Sequence, residues 1–200
     1  MTGELVTTLY DFQLSMLHAM CTSAPAQAAD LLDRIGATRA DAAVAEHRWW
    51  FADATNDFRS IAEYITAWGA PASERIEHHG DREGRYAVWD LPFWPGLQIE
   101  WMEIPPHPRL FRQLLRHPDC PRPRLESVAD LTPWSCTRNE FHDGTLGPTD
   151  VVDGFGGVGD VAAFRAIDPD SGRNRVYWAH FDWGLLQYVE PAPNTYVWKL

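Results

Sequence analysis

Lysine is nearly missing from this 200-residue chain: Lys199 is the only one, and the other 16 basic side chains are arginine. That removes the P-loop lysine on which ordinary nucleotide phosphoryl transfer depends. Basic residues of either kind are too few for the stripe that neutralises a nucleic-acid backbone, because 28 acids face 17 bases and the formal charge is −11. The same balance is repelled by an anionic membrane surface. Cysteine is scarce too. Cys21, Cys120 and Cys136 are odd in number and far apart, which makes no disulfide framework and fits a reducing, cytoplasmic setting. No apolar run approaches the roughly 18 residues of a membrane span, and the N-terminus lacks the basic region of a secretory signal. There is no G-x-S-x-G elbow for a serine nucleophile.

What the chain has in surplus is tryptophan, ten of them within a 45% hydrophobic composition. Each brings a large apolar body and one N–H to satisfy, so most are expected in a heavy core. The acidity is uneven. Residues 1–70 carry 4 arginines against 9 acids, residues 71–124 carry 8 of each, and residues 125–200 carry 5 bases against 11 acids. The neutral middle holds Arg109, Arg112, Arg116, Arg122 and Arg124.

Periodicity divides the chain into a helical front and a stranded remainder. Leu5, Leu9, Phe12, Met16 and Met20 recur at helical steps. Pro25 suits a first helical turn and Gly36 a C-terminal cap, while Thr38 with Asp41 signals a further start. Phe58, Ile61, Ile65 and Trp68 form another stripe, ended by Gly69 and Pro71. Strands are expected at 85–89, 97–101, 161–167 and 175–183, with turns at Trp94-Pro95-Gly96 and Asp168–Gly172. Leu110, Phe111, Leu114 and Leu115 read as a short amphipathic helix, and residues 118–133 as a proline-rich loop. The expected fold is α+β: one globular domain over residues 1–200, with a helical layer from about residue 3 to 69 on a mainly antiparallel sheet from the C-terminal two-thirds.

Several constellations carry candidate chemistry. His180 and Asp182 stand two apart on an expected strand, so they share a face with Trp178; with His142 from a loop they would form an acid–base set in a tryptophan-lined pocket. His117, Cys120, Cys136 and His142 are nitrogen and sulfur ligands whose spacing permits a structural zinc site, and no other cofactor is implied. Asp143, Asp150, Asp153 and Asp160, with Trp178 and Trp183, form a candidate binding set rich in carboxylates and indoles. Gly154, Gly156 and Gly159 match G-x-G-x-x-G, but too little chain follows for a crossover helix and a nucleotide-binding fold. His78-His79-Gly80-Asp81 reads as a turn.

Two functions remain in competition. One is a non-catalytic acidic protein that recognises or neutralises a basic protein partner, as small immunity and inhibitor proteins of this composition do. The other is a small metabolic enzyme, a lyase, cyclase or hydrolase, using His180 and Asp182 on a small molecule.

Overall fold

The structure is a computed structural model that describes residues 7–55, 59–106, 110–154 and 159–198. Four helices come first: α1 (Leu9–Ser23), α2 (Pro25–Ile35), α3 (Arg39–Thr55) and α4 (Ile61–Trp68). Their starts are written locally. Thr8 and Asp11 form a reciprocal capping box at α1, and Ser60 and Glu63 another at α4. At α3 the Thr38 hydroxyl accepts from Asp41 N, and the Asp41 carboxylate accepts from Thr38 N. Each box satisfies amide donors that the helix cannot. Gly36 ends α2 in the left-handed conformation at φ 68°, where glycine pays no side-chain penalty. Leu5 and Phe58, expected on the first and last stripes, lie outside the described residues.

The strands are antiparallel throughout and fall into two four-stranded sheets. The first has the order β1 (Ser73–His79), β2 (Arg82–Asp90), β3 (Leu97–Glu103) and β4 (Phe111–Arg116). After a 3₁₀ turn at Val128–Asp130 and the short helix α5 (Arg138–His142), the second runs β5 (Thr149–Asp153), β6 (Gly159–Ile167), β7 (Asn174–Asp182) and β8 (Leu185–Pro191). Each sheet has one face packed on a hydrophobic core. On the first, Ala87, Trp89, Leu97, Ile99, Trp101 and Leu114 pack against Phe12, Met16, Trp49, Ile61 and Tyr64 of the helical layer. On the second, Ala162, Phe164, Tyr177, Ala179 and Phe181 pack against Leu125, Leu131 and Phe141.

Two expectations about secondary structure need correction. Residues 111–116 are an edge strand, not a helix: they pair with β3 from Leu97↔Arg116 to Met102↔Phe111. Their i, i+3, i+4 apolar spacing was misleading because only Leu114 of this strand is fully buried. His78 and His79 end strand β1 instead of forming a turn; the turn is Gly80-Asp81, closed by the His79↔Arg82 pair. Gly80 at φ 68° supplies the left-handed backbone such a two-residue hairpin requires.

The hairpin between β7 and β8 has a bulky residue at its tip. Asp182 pairs with Leu185 across Trp183-Gly184, and both tip residues have positive φ, 54° and 80°. This is the primed turn geometry that suits a twisted hairpin, normally filled by Asn or Gly. Trp183 does not face water. It is 6% exposed and belongs to the first core, within 5.4 Å of the Phe12 ring and 6.2 Å of Trp49.

On the far face of the first sheet, Glu100 is fully buried. Its carboxylate accepts from the Arg75 guanidinium and from Gln113 Nε2, and Arg75 lies 4.3 Å above the Tyr86 ring. The Glu100 and Glu77 carboxylates hold Arg75 firmly in its charged form, chiefly through the Glu100 hydrogen bond.

Candidate functional site

Strand β7 alternates as the H-x-D spacing implies. Tyr177, Ala179 and Phe181 point into the second core, so Trp178, His180 and Asp182 share the opposite, outer face. Cross-strand register adds residues to that face. His180 stands opposite Val161 and Tyr188, and Trp178 opposite Ala163 and Glu190; Asp150 and Asp153 of β5 oppose Ala163 and Val161. The His180 ring stacks on Tyr188 at 4.2 Å and 12°, and its Nε2 lies 2.9 Å from Glu190 Oε1. The C-terminal segment crosses the same face. The Tyr196 hydroxyl donates to Asp150 at 2.6 Å, the Tyr196 ring meets Trp178 edge-on at 5.8 Å, and Trp198 lies under Arg165. Burial and the Asp150 carboxylate push the Tyr196 hydroxyl up to about 12, and burial, Glu190 and Asp182 raise Tyr188. The face is aromatic in its middle and carboxylate-bearing around it.

Trp178, His180 and Asp182 share the face their spacing implies, whereas Asp150 and Asp153, expected in a loop, join it from strand β5. Tyr188, Glu190 and Tyr196 were missed. The signal for the first two was the alternation along 185–191, which places Tyr188 and Glu190 on one side and Leu186 with Val189 near the core across the register shift at His180/Phe181.

The expected setting of the acid–base pair is a tryptophan-lined pocket. The main clefts of the described residues are lined by other side chains. Asp182 instead accepts a hydrogen bond from Ser23 at the end of α1, and Gln187 accepts from the same hydroxyl at 3.2 Å. Burial pushes the Asp182 carboxyl above its ordinary range, opposed by the Ser23 bond and His180 and reinforced by the nearby Asp160. A carboxyl raised by folding stabilises fully only below its unfolded value near 3.9, and that contribution is lost as pH rises through its folded value. Asp182→Asn is therefore expected to raise the urea midpoint at pH 7, with the gain shrinking towards zero below about pH 4. An unchanged midpoint at neutral pH would show that the Ser23 bond outweighs the burial.

His142 lies across the sheet from His180. It ends α5, and its Nδ1 bonds Thr149 Oγ1, opposite the core residue Phe164. Arg138 Nε donates to His142 Nε2 at 3.4 Å, which places the ring proton on Nδ1. Burial first and Arg138 second hold this ring below the ordinary histidine range. The unfolded chain therefore takes up this proton first, and stability is expected to fall as pH drops below about 6.5. His142→Gln should flatten that slope in urea melts between pH 7 and 5.

The four candidate zinc ligands are not gathered. His117 sits by Asp90 and Asp119, and Cys136 is buried with its thiol pushed up to about 12 by desolvation. Cys120 lies beside Gly96, and His142 has the partners above; no group of three or more His, Cys, Asp or Glu among the described residues is placed to hold a metal. Of the remaining expected binding residues, Asp143 caps α5, Asp160 is buried against Arg138 at 2.9 Å, and Trp183 is in the first core. The glycine motif bridges β5 and β6, two antiparallel strands, so no helix follows it to receive a pyrophosphate; its residues 155–158 lie outside the described residues. Gly154, at φ 82°, has no room for a side chain, since a Cβ would come within 2.5 Å of Gly159 O.

No helix among the described residues is long and apolar enough to cross a membrane. No family model matches the chain, and no curated protein matches it in sequence. A candidate β-lactamase inhibitor protein from Streptococcus mutans, known as a crystal structure, is similar over 66% of this chain and 82% of its own, with 12% identity and a TM-score of 0.26. A likeness of that size bears on neither fold nor function.

Proposed function

We propose that the chain is a non-catalytic, inhibitor- or immunity-like binding protein whose outer face on the second sheet recognises a basic protein partner. The observation that carries this reading is the ring cluster Trp178, His180, Tyr188 and Tyr196 set beside Asp150, Asp153 and Glu190. Aromatic faces and carboxylates are complementary to arginine and lysine side chains. The net charge of −11 would speed encounter with such a partner. The reading takes residues 1–200 as one globular domain, supported by the contribution of Trp183 and Leu185 from the second half to the first core. The enzyme alternative is less well supported, because neither His180 nor Asp182 lines the main clefts of the described residues and Asp182 is held by Ser23.

An array of basic, neutral and acidic peptides, read by fluorescence anisotropy, tests this. Basic peptides should be retained and should weaken as salt rises, since exposed charge pairs are screened within about 8–10 Å. The variant Asp153→Arg/Glu190→Arg changes two exposed side chains and should lose at least about tenfold in affinity. Equal retention of acidic peptides, or unchanged binding by the variant, would remove the proposal.

A further inference from the structure

The outer face of the second sheet already has an occupant, the end of the chain itself. Strand β8 ends at Pro191, and the Ala192 amide makes the last bond to the sheet, to Val176 O at 3.0 Å. Residues 193–198 then turn back, Tyr196 N donating to Pro193 O at 2.9 Å, and no other backbone bond ties them among the described residues. Side chains do the holding. Tyr196 donates its hydroxyl to Asp150 at 2.6 Å and meets the Trp178 ring edge-on, and Trp198 lies 5.1 Å from the Arg165 guanidinium. Val197 between them is 75% exposed, which leaves two side chains to carry the contact.

The middle of the face is sealed. Ala163 points outward between Asp150 and Trp178, yet it is fully buried. The fit of the occupant is nonetheless incomplete. The Trp178 indole N–H is buried with no hydrogen-bond partner among the described residues, and an unmatched buried donor is costly. The Asp150 carboxylate receives a neutral phenol from Tyr196. An arginine in its place adds a second ionised group, can bond both carboxylate oxygens at once, and stacks on an indole.

We infer that the C-terminal segment, residues 192–198, is an intramolecular ligand that closes this face, and that a basic partner binds by displacing it. The inference rests on the binding role proposed for the face and adds its regulation. Partner affinity is then scaled by the fraction of chains in which the segment is lifted. Trp178, His180 and Tyr188 belong to the sheet and stay, whereas Tyr196 leaves with the segment.

The test compares the full chain with its Tyr196→Ala and Trp198→Ala variants, using a fluorescein-labelled arginine–glycine repeat peptide and fluorescence anisotropy. Tyr196→Ala removes the bond to Asp150 and should tighten binding at least about fivefold. Trp198→Ala loosens the segment at Arg165 without altering any ring of the cluster, and should tighten binding at least about twofold. If Tyr196 were a fixed part of the recognition surface, its loss would weaken binding instead. ¹H–¹⁵N spectra with the Phe164 and Phe181 amides unmoved distinguish opening of the face from a folding defect. An asparagine–glycine repeat of the same length should show no gain. Equal or weaker binding by either variant, or an equal gain for the neutral peptide, overturns the displacement and leaves the binding face in place. Absence of binding by all three proteins removes the binding role, and this inference with it.

Discussion

Trp183→Ala is expected to cost about 3–5 kcal/mol in urea denaturation, the range for deleting a large buried aromatic. The residue is 6% exposed and its ring is hemmed by Phe12, Trp49 and the Arg112 guanidinium. Its backbone sits at φ 54°, a region that a residue with a Cβ occupies only at a cost of about 1–2 kcal/mol. The native fold therefore tolerates local strain at this position because the packing of the ring more than offsets it. Trp183→Gly separates the two contributions. It loses the same ring but relaxes the backbone, so it should be more stable than Trp183→Ala by about 1 kcal/mol. Equal stabilities for the two variants would mean that the turn is not strained. A loss under about 1 kcal/mol for both would mean that the ring is not a structural anchor.

The second large effect is expected at Arg75. Arg75→Met should destabilise by about 2 kcal/mol, because Glu100 is then left buried with its charge uncompensated. The value is placed below that for a fully enclosed pair because the Arg75 side chain is 44% exposed while Glu100 is at 0%, so water can partly replace the guanidinium. The double variant Arg75→Met/Glu100→Leu removes both charges and should recover to within about 1 kcal/mol of the parent. Urea midpoints of the three proteins decide the matter. If the double variant is no better than the single, the cost lies in lost packing over Tyr86 and not in the stranded carboxylate.

The parts of the fold that were legible are those in which local chemistry and tertiary packing agree. Pro25, Gly36, Thr38 with Asp41, and Gly69 bound the helices as their chemistry suggests. The alternation at 97–101 and 175–183 marks β3 and β7 because the apolar residues of each line one face that packs on a core, even though Gln98 and Glu100 on the other face of β3 are buried too. Strand β1 was invisible because its sequence, SERIEHH, lies largely exposed and has no apolar period. Strand β4 was misread because a run with only Leu114 buried takes its conformation from its neighbour β3, which sequence spacing does not reveal. The same distinction applies to the sites. Trp178, His180 and Asp182 share a face by strand geometry alone. Trp183, one residue further on, was grouped with them because its removal to the first core depends on a hairpin tip that only the register with β8 defines. Strand β4 and helix α5, which touch each other, are two elements the sequence pattern did not disclose.

Strand β1 ends its sheet, hydrogen-bonded to β2 alone among the described strands. A bare sheet edge is a template on which a second chain can add a strand. Here the edge carries Glu74, Arg75 and Glu77 in succession around Ile76, with Glu74 tied to Arg85 and Arg75 to Glu77. A copy docking parallel and in register would set each of these charges against its own kind, and one docking antiparallel about Ile76 would set Arg75 against Glu77 only by disturbing ion pairs already made. Arg75→Met is thus expected to have a second consequence: with that charge gone, the edge opposes self-association less.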